Sequence, residues 1–126
     1  MTVRTVLVVD DDDSIREITQ LALEVVGGWQ VLPASGGEQA LELAAAHRPD
    51  AVLLDVMMPG MDGLTVFRHL QADETTRAIP VILLTAKLQV GGQKIWDDLA
   101  VIGVIPKPFD PMTLSDDVST MLGWPS

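Results

Sequence analysis

Cysteine is missing altogether from this 126-residue chain, so disulfide staples and thiolate metal sites are excluded and a cytoplasmic location is the default expectation. Basic residues are scarce as well. The balance of 8 Lys and Arg against 18 Asp and Glu gives a net charge of −10, which opposes approach to nucleic acid phosphates or an anionic membrane surface. Direct nucleic acid binding is therefore not expected. No apolar run exceeds strand length, and the short run Thr5 to Val9 passes straight into the acids Asp10 to Asp13. Neither a membrane span nor the h-region of a signal peptide is expected. Walker and GxGxxG motifs are absent, and Gly36-Gly37 before a helix is too weak a signal for a phosphate loop. With no linker, repeat or low-complexity stretch, residues 1–126 are expected to form one domain.

What the chain does contain is alternation. Apolar strand-like runs alternate with amphipathic segments, the pattern of βαβ units in a parallel sheet covered on both faces. Strands are expected at Thr5 to Val9, Trp29 to Ala34, Ala51 to Leu54, Val81 to Leu84 and Ile102 to Ile105. Between them the spacing predicts a helix over Ser14 to Val26, with a Ser14–Glu17 capping box and Ile15, Ile18, Ala22 and Val25 inward. A second capping box, Ser35 with Glu38, is expected to open Gly37 to His47, with Leu41, Ala44 and Ala45 inward. Asp62 is expected to cap Gly63 to Ala72, whose core positions are Leu64, Phe67 and Leu70. Leu88 to Leu99 is the weakest helical segment, because Gly91 and Gly92 sit in its first turn; it is expected to be the most mobile helix. Asp110 and Pro111 mark the N-cap and first turn of a last helix bearing Leu114, Val118, Met121 and Leu122.

The stretch Val52 to Gly63, VLLDVMMPGMDG, ends an apolar run abruptly at Asp55 and continues in loop residues. A buried strand thus delivers one carboxylate to the sheet edge where ligands of open α/β folds gather. Three other strand ends also carry polar groups: Asp10 and Asp11, Thr85, and Lys107. Taken singly, each is as well explained as a loop cap; their coincidence points to one crevice. Clustered carboxylates repel and call for a cation, and hard oxygen ligands without His or Cys suit Mg²⁺ bridging to a phosphate. Lys107 could neutralise a phosphoryl oxygen and Thr85 could hydrogen-bond another. His47, His69 and the methionines read as surface or packing residues.

With VLVVDDD at Val6 to Asp12, LLDVMMPGMDG at Leu53 to Gly63, LLTA at Leu83 to Ala86 and PKPFDP at Pro106 to Pro111, the chain closely resembles the CheY-like receiver domain of two-component response regulators, of the single-domain type. The resemblance implies a flavodoxin-like three-layer α/β sandwich, a doubly wound five-stranded parallel sheet in the order 2-1-3-4-5 with five helices. It implies that Asp55 takes a phosphoryl group from a histidine kinase or phosphotransfer protein. Asp11, Asp55 and the Met57 carbonyl would bind Mg²⁺ directly, Asp10 would act through water, and Thr85 and Lys107 would hold phosphoryl oxygens. The Lys107-Pro108 bond would be cis. The domain would switch a face for a downstream protein partner as a monomer or weak dimer, and would be a phosphoacceptor, not an enzyme. A phosphate relay or sink is the nearest alternative, and a receiver-like module that binds partners unphosphorylated is a further one. An aspartate-nucleophile phosphohydrolase is disfavoured, because Met57 stands where such chemistry wants a second acid. Val104 replaces an aromatic frequent in the family, and Ala100-Val101 replaces a common Gly-Ala.

Overall fold

The computed structural model describes residues 3–86, 89–90, 93–94 and 100–125. In chain order the strands are β1 (Thr5–Val9), β2 (Gln30–Ala34), β3 (Ala51–Asp55), β4 (Val81–Thr85), β5 (Gln89–Val90), β6 (Gln93–Lys94) and β7 (Gly103–Pro106). The helices are α1 (Asp13–Leu21), continued by a π-helical turn Ala22–Val26, then α2 (Gly37–His47), α3 (Gly63–Ala72) and α4 (Leu114–Leu122). Five strands form one parallel sheet in the order β2-β1-β3-β4-β7, which is the expected doubly wound order. Alternation along each strand splits the core into two layers. Leu7, Val52, Leu54 and Leu83 meet α2 and α3 through Ala40, Ala44, Val66, Phe67 and Leu70. Val6, Val8, Leu53, Leu84 and Ile105 meet the π turn and α4 through Leu23, Leu114 and Val118.

The helix ends depart from expectation in detail. Asp12, not Ser14, caps α1, its Oδ1 accepting the Ile15 N–H at 3.1 Å; a carboxylate there also complements the helix dipole, so the Ser14–Glu17 box is superseded. Ile18, expected inward, is 46% exposed, while Thr19 is buried with its hydroxyl donating to the Ile15 carbonyl at 2.7 Å. That internal bond satisfies the hydroxyl and lets Thr19 face the core. The extra residue in the π turn then swings Val25 out to 77% exposure.

Gly36 is the N-cap of α2, and the Ser35 N–H and hydroxyl bind Gln39 Oε1 at 2.9 and 3.1 Å in place of a Ser35–Glu38 box. Its buried row is Gly37, Ala40 and Ala44, with Leu41 partly buried and Ala45 exposed. A Cβ on Gly37 would stand 2.8 Å from Met61 Sδ, so packing against the α3 side sets this register. Asp62 caps α3 as expected, accepting the Thr65 N–H at 2.8 Å. Helix α4 starts later than expected: Asp110 and the next residues form an Asx turn, with Asp110 Oδ1 accepting the Met112 N–H at 2.9 Å. The helix expected over Leu88 to Leu99 falls mostly outside the described residues. Its four described positions pair as antiparallel strands, β5 with β6. Gly91-Gly92 stands between them in sequence, a dipeptide that signals a hairpin better than a helix start.

Candidate functional site

Because the five paired strands are parallel, their C-terminal ends share one edge. Val9 pairs with Leu54, Asp55 with Leu84 and Thr85 with Pro106, so Asp10, Asp55, Thr85 and Lys107 finish neighbouring strands at one level. Side-chain alternation then sorts them. Asp10, Asp55 and Lys107 follow Val8, Leu53 and Ile105 by two residues, on the side of the π turn and α4. Thr85 follows Leu83, on the side of α2 and α3.

The expected cluster forms accordingly. Lys107 Nζ lies 2.8 Å from Asp10 Oδ2 and 3.0 Å from Asp55 Oδ1. Asp10, Asp11 and Asp55 each offer a carboxylate oxygen within 4.8 Å of the others, the first and last buried and Asp11 exposed. Together with Asp12, Ile15, Met57, Ala86 and Lys107 they line a pocket of about 300 Å³. Thr85 is fully buried and is not part of that lining; its carbonyl accepts the Lys107 N–H at 3.0 Å, so it braces the lysine's backbone. The Lys107-Pro108 bond is cis, as the resemblance implies.

The loop after β3 is drawn tightly over the strand end. The Gly63 N–H donates to the Val56 carbonyl at 2.9 Å, and a Cβ on Gly63 would collide with the Asp55 carbonyl oxygen. Only glycine permits that approach. Burial pushes the Asp55 carboxyl up to about 6; Lys107 pulls it down, and Asp10 and Asp11 add to the rise. Burial disfavours the Lys107 ammonium, but its bonds to Asp10 and Asp55 outweigh that and hold it above the usual lysine value. Three hard carboxylate oxygens at this spacing, with no imidazole or thiolate among them, fit Mg²⁺.

Two contributors lie outside the expected set. Asp12 lines the pocket and caps α1, a role foreshadowed by its place three residues ahead of Ile15. Arg16 donates to the Asp10 carbonyl at 2.9 Å and to Asp13 Oδ1 at 2.6 Å, and no local pattern announces it.

Comparison with known proteins agrees with this fold. Residues 6–119 match the response regulator receiver domain family. The chain is 39% identical over 114 residues to the phosphate regulon transcriptional regulatory protein PhoB of Pseudomonas aeruginosa, covering 90% of this chain and 49% of that protein. It is 44% identical over 104 residues to the response regulator MprA of Mycolicibacterium vanbaalenii, covering 82% and 44%. It thus spans about half the length of these curated relatives. The chemotaxis protein CheY4 of Vibrio cholerae superposes with a TM-score of 0.86 at 28% identity, over 95% of this chain and 99% of that one. The receiver domain of the sensor histidine kinase PA1611 of Pseudomonas aeruginosa, solved with a magnesium ion coordinated in its active site cleft, superposes with a TM-score of 0.85 at 27% identity, over 97% and 99%. With the family match running from β1 into α4, the chain belongs to the response regulator receiver domain family.

Proposed function

We propose that Asp55 is the phosphoacceptor of this domain, and that Asp10, Asp11 and the Met57 backbone carbonyl join it in holding Mg²⁺, Asp10 through water. The observation that carries the reading is the Lys107 ammonium, 2.8 Å from Asp10 and 3.0 Å from Asp55, beside the carboxylate that ends the central strand. An Asp55 oxygen attacks the phosphorus of a phosphohistidine on a histidine kinase or phosphotransfer protein. The P–O bond forms as the P–N bond breaks, and the imidazole leaves with the electron pair and takes up a proton. Lys107 then faces the new phosphoryl oxygens, and Thr85 turns its hydroxyl toward them. Mg²⁺ held by these residues would supply further positive charge at the site of transfer.

An apolar groove of about 420 Å³ formed by Ile15, Ile18, Ala86, Pro108, Phe109 and Pro111 adjoins the pocket and shares Ile15, Ala86 and Lys107 with it. It supports delivery of the phosphoryl group by a docked protein. The domain acts as a phosphoacceptor in the cytoplasm, over residues 1–126, and passes its state to a downstream protein partner; its own chemistry is limited to self-phosphorylation and self-dephosphorylation. Acetyl phosphate with Mg²⁺ should label the wild type and not Asp55→Asn. Undiminished label in Asp55→Asn would overturn the assignment.

A further inference from the structure

The acidic turn bearing Asp10 and Asp11 is held from behind by a residue that the phosphoryl chemistry does not use. Arg16 reaches back from the first turn of α1, one guanidinium nitrogen donating to the Asp10 carbonyl at 2.9 Å and another to Asp13 Oδ1 at 2.6 Å. The Arg16 side chain is only 19% exposed, while that of Asp13 is 86% exposed. An ion pair with so exposed a partner contributes little by itself, so the informative contact is the carbonyl.

Asp10 is the first residue beyond β1, and its other polar groups are all engaged. Its N–H donates to the Ala34 carbonyl at 3.1 Å, Oδ1 accepts the Asp12 N–H at 2.9 Å, and Oδ2 accepts Lys107 Nζ at 2.8 Å. Arg16 takes the carbonyl oxygen, and the Asp10–Asp11 peptide is thereby fixed. That peptide aims Asp11, the exposed member of the carboxylate trio.

We propose that Arg16 is a positioning residue for the cation site, gripping the Asp10 carbonyl so that Asp11 is held at its place among the three carboxylates. The inference rests on the reading that these carboxylates hold Mg²⁺. Charge alone makes the opposite forecast. A cation beside an acidic cluster weakens Mg²⁺ binding as a counter-charge, so its removal would tighten binding; removing a positioning residue loosens it.

The test is a Mg²⁺ titration of the full chain by amide NMR or calorimetry, for the wild type, Arg16→Gln and Arg16→Lys. Arg16→Gln should raise the Mg²⁺ dissociation constant about tenfold, the lower end of the effect of removing an orienting partner behind a metal ligand. Arg16→Lys keeps the charge but replaces the planar fork with a point donor, so it should weaken binding by a smaller factor. In acetyl phosphate labelling, the Mg²⁺ concentration for half-maximal rate should rise by the same factors, with the rate at saturating Mg²⁺ near that of the wild type. A role in folding alone would lower the melting temperature and leave the dissociation constant unmoved. Unchanged or tighter Mg²⁺ binding by Arg16→Gln overturns the proposal; if that variant does not fold, unchanged or tighter binding by Arg16→Lys does so. A wild type that binds no Mg²⁺ overturns the Mg²⁺ reading and this inference with it, which separates the two failures.

Discussion

As the proposed phosphoacceptor, Asp55 has to ionise while only 3% exposed. Burial raises its carboxyl from 3.8 to about 6, with Lys107 offsetting part of the rise. In the unfolded chain the group loses its proton at the lower value, so between these values the folded state binds more protons and loses stability as pH rises. The stability tied to protonated Asp55 is fully present below about 4 and gone above about 6, and amounts to at most about 3 kcal/mol. Asp55→Asn should therefore gain melting temperature relative to the wild type as pH rises from 4 to 7. Thermal melts across that range check this, and a gap of constant size would contradict it. Since protons compete with Mg²⁺ for the same oxygens, Mg²⁺-dependent labelling should fall as pH drops through about 6.

At the scale of the elements, the loop between β3 and α3 depends on Gly63. The Asp62 side chain caps α3, and the Gly63 N–H returns to Val56, leaving no room for a Cβ against the Asp55 carbonyl. Gly63→Ala should destabilise the fold by about 1–3 kcal/mol, the usual cost of overpacking a close contact. It should also slow labelling of Asp55, because the strand end itself must move. Denaturant titration and acetyl phosphate labelling together check this; a variant as stable and as fast as the wild type would show that the loop yields freely.

For the molecule as a whole, the proposed phosphorylation at one edge of the sheet would have to reach a distant surface. Thr85 lies two residues beyond Leu83 on one face of β4, and Leu83 pairs with Val104, which is partly buried in the same core layer. With an aliphatic residue at that position, the proposed movement of Thr85 toward a phosphoryl group would have to be passed on by backbone shifts and side-chain repacking, not by a swinging ring. Amide shifts on adding beryllofluoride should concentrate in residues 85–99 and around Val104. Changes confined to the loops at Asp11 and Asp55 would instead fit a phosphate relay or sink. The net charge of −10 on these 126 residues opposes direct contact of the altered face with nucleic acid phosphates.

Local signals in the chain carried the two layers, the five strands of the parallel sheet in order and the polar strand ends, because continuous apolar runs, helical spacing and turn residues are legible without the fold. They also carried Asp10, Asp55 and Lys107, each the first polar residue at or just after an apolar run, with Asp11 beside Asp10. Choices between neighbours were left to the tertiary structure. Asp12 caps α1 in place of Ser14 through the Ile15 N–H, Thr19 turns inward in place of Ile18 with its hydroxyl on the Ile15 carbonyl, and the register of α2 follows from Met61 against Gly37. Thr85 was set on the α2 and α3 side of the sheet by strand parity, which is known only once the strands are paired. Arg16 became part of the site only when α1 folded back over the end of β1, since a contact between a helix and a strand end leaves no periodic trace in the chain.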